Sequence, residues 1–175
     1  MADISAIFGI LLSLGIVFPG MLTAWWLLFP ATVERARLRL DRTPWKCFFV
    51  GGVVTAMLAI PITILFVIPN GVVQFVGWAL LFITLTIASL GAAGLAAKMG
   101  ERLSRRNSGG LTPVGAFVRG AVALELAAAF PVIGWVIVIP FATVTAVGAT
   151  TFALLHWVPR PAPQPVADNI TASQA

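Results

Sequence analysis

Charge is what this chain has least of. Of its 175 residues only 10% are Asp, Glu, Lys or Arg, whereas an ordinary soluble domain carries about one quarter. With 59% of residues in the hydrophobic set and a mean hydropathy of +1.01, a water-soluble fold could not cover its surface. A soluble enzyme or soluble binding module is thereby excluded. Cysteine occurs once, as Cys47, which rules out an internal disulfide and any multi-cysteine metal site. Histidine also occurs once, as His156, so the chain cannot supply both axial ligands of a bis-histidine haem. The N-terminus lacks the basic region of a secretory signal: it carries Asp3, and the apolar run behind it exceeds a signal core. That run is read as a retained first span.

What the chain does have is long apolar stretches. Uncharged runs of twenty or more residues recur, the length that crosses a hydrocarbon core of about 30 Å as a helix. The expectation is an all-α integral membrane protein with five transmembrane helices, arranged as one span and two helical hairpins. The spans fall near 4–29, 48–68, 72–97, 114–130 and 132–158, forming one membrane domain over 1–158. A Pro-rich, flexible tail occupies 159–175. The 45-residue run from Val114 to Val158 is too long for a single crossing, and Phe130, Pro131 and Gly134 divide it. The alternative is four spans with 114–130 lying on the surface as an interfacial helix.

Charge placement favours the odd count. The net charge of +5 sits in loops, not on a soluble basic face, so nucleic acid is no partner. With the N-terminus outside, two basic loops and the Arg160 tail fall on the cytoplasmic side, as Lys and Arg prefer. Their basic surface comprises Arg35, Arg37, Arg39, Arg42, Lys46, Lys98, Arg102, Arg105 and Arg106. Trp25, Trp26, Trp45 and Trp157 then lie near the inner boundary, and Trp78 and Trp135 near the outer one. Residues 31–46 are read as a short surface helix with Val33, Leu38, Leu40 and Trp45 available for membrane contact. Anionic lipid head groups or a cytoplasmic protein are the partners such charge attracts.

Only Arg119 and Glu125 place charge inside a span, which makes them the intramembrane candidates. Six residues apart, they are separated by about 120° and 9 Å, too far around the helix to pair. Arg119 lies close enough to the inner end to snorkel. Glu125 is deeper, among Ala121, Ala128 and Ala129, where a second helix can approach. Rows of small residues also mark the third span: Ala88, Ala92 and Ala96, with Ser89, Ala93 and Ala97 beside them. His156, next to Trp157, is an interface residue or a ligand to a partner's group. No base or orienting acid accompanies Ser89 or Cys47 in a way that builds a nucleophile, so no catalytic residue, metal or cofactor is expected.

From Leu28 to about Leu155 the chain resembles a group of bacterial integral membrane domains of uncharacterised function, some of them found with bactofilin-type polymer-forming proteins. The resemblance is carried by Phe29 and Pro30 with the basic stretch and Pro44, by Gly51 and Gly52, by the run Phe130 to Trp135, and by Gly148 with Ala149. It implies a helical-hairpin fold of the bacterial inner membrane. This chain has no polymer-forming β-repeat, so a cytoskeletal role would need a separate partner. The functional expectation is a non-enzymatic accessory, scaffolding or anchoring subunit. The rival is a small-solute or proton-coupled transporter working through Glu125.

Overall fold

The computed structural model describes residues 2–106, 112–155 and 157, and of residues 2–14 and Pro131 it describes the backbone alone. Every described element is helical. The order is α1 (Ala2–Leu28), α2 (Pro30–Arg42), α3 (Pro44–Val67), α4 (Gly71–Arg106), α5 (Pro113–Ala129) and α6. The last opens as one turn at Pro131–Ile133, widens to π-helix over Gly134–Val138, and continues α-helical over Ile139–Leu154.

Proline sets most of the boundaries. Pro30, Pro44, Pro113 and Pro131 each stand in the first helical turn, where the missing N–H costs nothing and the fixed φ is already helical. The residue before each is pushed out of the helical region. Phe29 and Thr43 accordingly have φ of −127° and −140°, and Thr112 and Phe130 are extended. Thr112 also caps α5, its hydroxyl accepting from the Gly115 N–H at 3.2 Å. An uncharged turn at Pro69 and Asn70 fills the gap between the expected spans 48–68 and 72–97. There the Asn70 side chain accepts from the Val72 N–H at 3.0 Å and starts α4. The π-helical stretch runs up to Pro140, whose ring would otherwise press on the preceding turn.

Three helices are individually long and apolar enough to cross a membrane: Pro44–Val67, Gly71–Arg106 and the Gly134–Leu154 part of α6. A fourth candidate arises if Gly15–Leu28 and Pro30–Arg42, bent by 106° at Phe29, are counted together. These candidate spans imply contact with a lipid bilayer. α5, at 17 residues, is about 26 Å long, the short end of what crosses a bilayer. The outward stripe of α3 is what lipid would meet: Val53, Met57, Ile60, Ile64 and Val67 are all exposed at alternating spacings of four and three.

α4 is the axis of the bundle and touches α1, α2, α3, α5 and α6. At 36 residues it is about 54 Å long, well beyond a hydrocarbon core. Its residues from Gly71 to Ala97 are uncharged, so Lys98 marks the edge of its apolar length and leaves a charged end from Lys98 to Arg106 beyond it. Helix α4 therefore runs nine residues past the expected limit of the third span at Ala97. Apart from the lone Gly100, the residues there are ordinary helix formers up to Arg106.

Glycine makes the close approaches. A Cβ on Gly51 of α3 would collide with the carbonyl oxygen of Val144, one on Gly91 of α4 with that of Ala146, and one on Gly148 of α6 with that of Cys47. Three candidate spans thus meet backbone to backbone at one level, and Thr150 Oγ1 ties α6 to α4 there by donating to the Ile87 carbonyl at 2.9 Å. A second contact of this kind joins α4 to α5, where Gly100 faces Ala116 and Gly120 faces Ala96. The larger core side chains are Leu22, Val33, Phe117 and Leu124, packed around Ala93, Ala96 and Ala121.

Candidate functional site: the basic end of the bundle

Helix α2 is amphipathic for a reason visible in its sequence. Val33, Ala36 and Leu40 recur at spacings of three and four and are buried, while Glu34, Asp41 and the arginines occupy the remaining arc. The expectation that Val33 and Leu40 meet the membrane is corrected. They face inward, Val33 toward Leu22 and Phe117, Leu40 toward Cys47, Ala149 and Phe152. The helix crosses the ends of α4 and α6 because the bundle offers it an apolar seat: Ala36 rests against Gly94, whose missing side chain leaves the room. Of the four residues assigned to the membrane, Leu38 is half-buried, and Trp45, which is exposed, belongs to α3, because Pro44 ends at Arg42 the surface helix expected over 31–46.

Charges then fix its register. Arg37 forks onto Glu34, with Nη2 at 2.5 Å and Nε at 2.8 Å, and reaches across to Glu101 of α4. Glu101 also accepts from Arg105 at 2.6 Å. Lys98 donates to the Leu40 carbonyl at the end of α2 and lies 3.5 Å from Asp41. Arg39 stacks its guanidinium 4.7 Å from the centre of the Phe152 ring and donates to the Trp157 carbonyl, so α2 also holds the end of α6. Pairs this exposed contribute about 0–1 kcal/mol each, against about 1.5–3 kcal/mol for burying a Val or Leu side chain. Apolar contact gives α2 its strength, and the ion pairs decide where it sits.

Of the basic residues read from the sequence, the structure brings Arg37, Arg39, Lys98 and Arg105 into this network. Arg35 is half-buried, and Arg42, Lys46, Arg102 and Arg106 are exposed on the same end. A cleft of about 400 Å³ lies between Arg102, Leu103, Arg105 and Arg106.

The Arg105 guanidinium, hydrogen-bonded to Glu101 and aided by the charge of Arg37, holds the Glu101 carboxyl below the usual carboxylate range. Arg37 is held more firmly charged than usual, chiefly by its bond to Glu34. Because Glu101 titrates lower when folded than the ordinary value of about 4.3, its contribution is complete above that pH and is lost as pH falls through the folded value. Docking of α2 is therefore expected to be flat from about pH 8 to 5 and to weaken below about pH 4, by under about 1 kcal/mol from this group. Glu101→Gln should flatten that part of the acid limb. An unchanged acid limb in the variant, followed by tryptophan fluorescence, removes Glu101 from the account.

Arg119 is exposed, one residue before Gly120, which packs on Gly100. It therefore stands at the edge of the apolar layer marked by Lys98. Glu125 is about 9 Å further along α5 and half-buried, and its Oε1 lies 3.7 Å from where a Cβ on Gly15 would be. Its carboxyl thus faces α1 across the α1–α5 contact, and no hydrogen bond or ion pair to it arises among the described residues. Arg119 and Glu125 are not brought together. His156 and the tail 159–175 lie outside the described residues.

Sequence reasoning missed the glycines. It placed helix packing on alanine rows at spacing four, yet Ala88, Ser89, Ala92 and Ala97 are only half-buried. Gly91, Gly94 and Gly100 take the closest contacts, together with the buried Ala93 and Ala96. Several glycines on one apolar helix were the available signal. Among the described residues no three His, Cys, Asp or Glu side chains converge as a metal site requires. No family model, curated protein or solved structure matches this chain, so what the comparisons leave is an all-helical protein with three or four candidate membrane spans.

Proposed function

We propose that the chain is a non-enzymatic, multi-pass subunit of the bacterial inner membrane that anchors or scaffolds a larger assembly through its basic end. One observation carries this reading. α3 lies on α6 backbone to backbone at Gly51 and Gly148, and α4 lies on α6 in the same way at Gly91, so neither of these two seams has room for a solute. A transporter needs a site or path near the midplane, built where helices part. Here they close.

In this reading α1 and α5 also span, giving five crossings, N-terminus outside, with α2 lying across the cytoplasmic end. The support is the positive-inside rule: both basic segments and Arg160 then share one side. The bactofilin-associated membrane domains named above remain a sequence resemblance consistent with such a role, the polymer-forming partner being a separate chain. A reporter fused after Ala175 tests the count, since an external tail overturns five spans.

A specific observation keeps a second reading in view. Glu125 presents a carboxyl to Gly15 of α1 without a described partner, the kind of group a proton-coupled carrier uses. Purification in mild detergent followed by mass spectrometry tests the first reading: a stoichiometric membrane or cytoplasmic-face protein is the expected companion, and isolation as a lone monomer overturns it. Glu125→Gln is expected to leave assembly and cellular function intact. Loss of a transport activity with assembly intact would establish the carrier reading instead.

A further inference from the structure

We propose that the cleft between Arg102, Arg105 and Arg106 at the end of α4 is a binding site for the phosphate of an anionic phospholipid head group. The site rests on the membrane reading but not on the scaffold role. Arg102 and Arg106 are one helical turn apart on a single face, about 5–6 Å between their β-carbons, a spacing at which two guanidinium forks can close on one phosphate. Both side chains are exposed, and neither makes a hydrogen bond or ion pair among the described residues. Arg105 differs: its bond to Glu101 at 2.6 Å holds it in place on the third side of the cleft.

Depth selects the source of the phosphate. Taking Lys98 as the edge of the apolar layer, Arg102 stands about 6 Å beyond it and Arg106 about 12 Å. The head-group layer on each side is about 5–8 Å deep, so Arg102 stands at the level of lipid phosphates, and Arg106, rooted beyond that layer, would meet the same phosphate by reaching back along its side chain. Leu103 lines the same cleft and gives its wall an apolar patch suited to the glycerol end of a lipid. The cleft is half open to its surroundings, so a head group can enter it from the side. Helix α2 contributes to selectivity by consuming the nearby acids. Glu34 and Glu101 are neutralised by Arg37 and Arg105, and Asp41 by Lys98, so the cleft keeps a positive field.

The test uses the full chain, stripped of lipid in a neutral detergent, with bound lipid counted by native mass spectrometry. Dioleoyl phosphatidylglycerol is expected to bind about 30-fold more tightly than dioleoyl phosphatidylcholine, because two arginines attract a head group of net negative charge, whereas the choline cation offsets the phosphate of the zwitterion. The double variant Arg102→Gln and Arg106→Gln should lose that preference, whereas Arg35→Gln with Lys46→Gln, removing equal charge from the same end, should keep it. Arg102→Lys with Arg106→Lys should retain part of it, and an unchanged thermal transition shows that each variant is folded. Equal loss in both glutamine pairs would mean diffuse charge and overturn the site. So would equal binding of the two lipids. Displacement of the lipid by millimolar inorganic phosphate would overturn the lipid assignment and leave a soluble phosphate as the ligand.

Discussion

Replacing Gly51 by alanine is expected to lower the free energy of unfolding by about 3 kcal/mol, whereas the same change at the neighbouring Gly52 is neutral or slightly stabilising. The two glycines are adjacent in one helix, so propensity cannot distinguish them. Alanine gains up to about 1 kcal/mol over glycine at either position. Space separates them. A Cβ on Gly51 runs into the Val144 carbonyl and comes within 2.8 Å of the Gly148 nitrogen, while a Cβ on Gly52 meets only the Val144 Cγ1 at 3.9 Å.

What Gly51 meets is backbone on another helix, which cannot rotate aside as a side chain can. α3 and α6 would have to move apart, and the contact is reciprocal: Gly148 approaches the Cys47 carbonyl and the Gly51 nitrogen from the other side. Separating them also disturbs the Thr150 hydrogen bond to Ile87. Gly148→Ala should therefore match Gly51→Ala, and Gly20→Ala, with nothing within 4 Å, should behave like Gly52→Ala. Reversible unfolding in mixed micelles measures all four. Equal effects at Gly51 and Gly52 would dismiss backbone contact as the origin of the tight interior.

This contrast also marks how far the sequence could be read. Composition and run length sufficed for an all-helical membrane protein, because a chain with so few charges and such long apolar stretches has no other stable form in lipid. Proline and the Pro69 to Gly71 turn located most helix ends, since their effect is local. Side-chain spacing did less well. In an apolar helix every face is hydrophobic, so periodicity carries no direction: α3 and the Ile139–Leu154 helix have almost no amphipathic contrast to read. Which small residue is touched depends on a partner helix distant in sequence, and the glycines of α4 could not be ranked above its alanines.

The basic stretch shows the opposite case. Helix α2 has a genuine apolar stripe at Val33, Ala36 and Leu40, of which the sequence reading picks out Val33 and Leu40. Its destination was not legible. Lipid and the bundle end are both apolar, and the choice was made by Gly94, which removes the one β-carbon that would keep Ala36 away. Similarly, Arg119 and Glu125 were identifiable as charges in an apolar run, but only the fold turns Glu125 toward Gly15 of α1.

If α2 is seated by that vacancy, Gly94→Leu should release it, and the chain carries its own reporter. Cys47 is the single cysteine, fully buried, in one cluster with Ala36 and Leu40 of α2 and Ala149 and Phe152 of α6. Labelling by a small maleimide therefore requires α2 or the end of α6 to move away, and its rate reports the population of the opened state when opening is fast; a rise caused by Gly94→Leu, which touches α2, is assigned to α2. In the native protein labelling should be slow. A Cβ on Gly94 already comes within 2.9 Å of the Ala36 Cβ and 3.3 Å of the Arg37 nitrogen, so a leucine cannot fit beneath a seated α2. Overpacking of this kind costs about 1–3 kcal/mol, which converts to labelling about 5- to 150-fold faster. Lys98→Ala removes the bond to the Leu40 carbonyl and the Asp41 pair, and should give a smaller rise of about 2- to 5-fold. Gly20→Leu, with open space around it, should change nothing at Cys47. Slow labelling in a folded Gly94→Leu protein would show that α2 does not cover Cys47 in the way the packing requires, and the ion pairs of Arg37 and Lys98 would then have to hold the helix by charge alone.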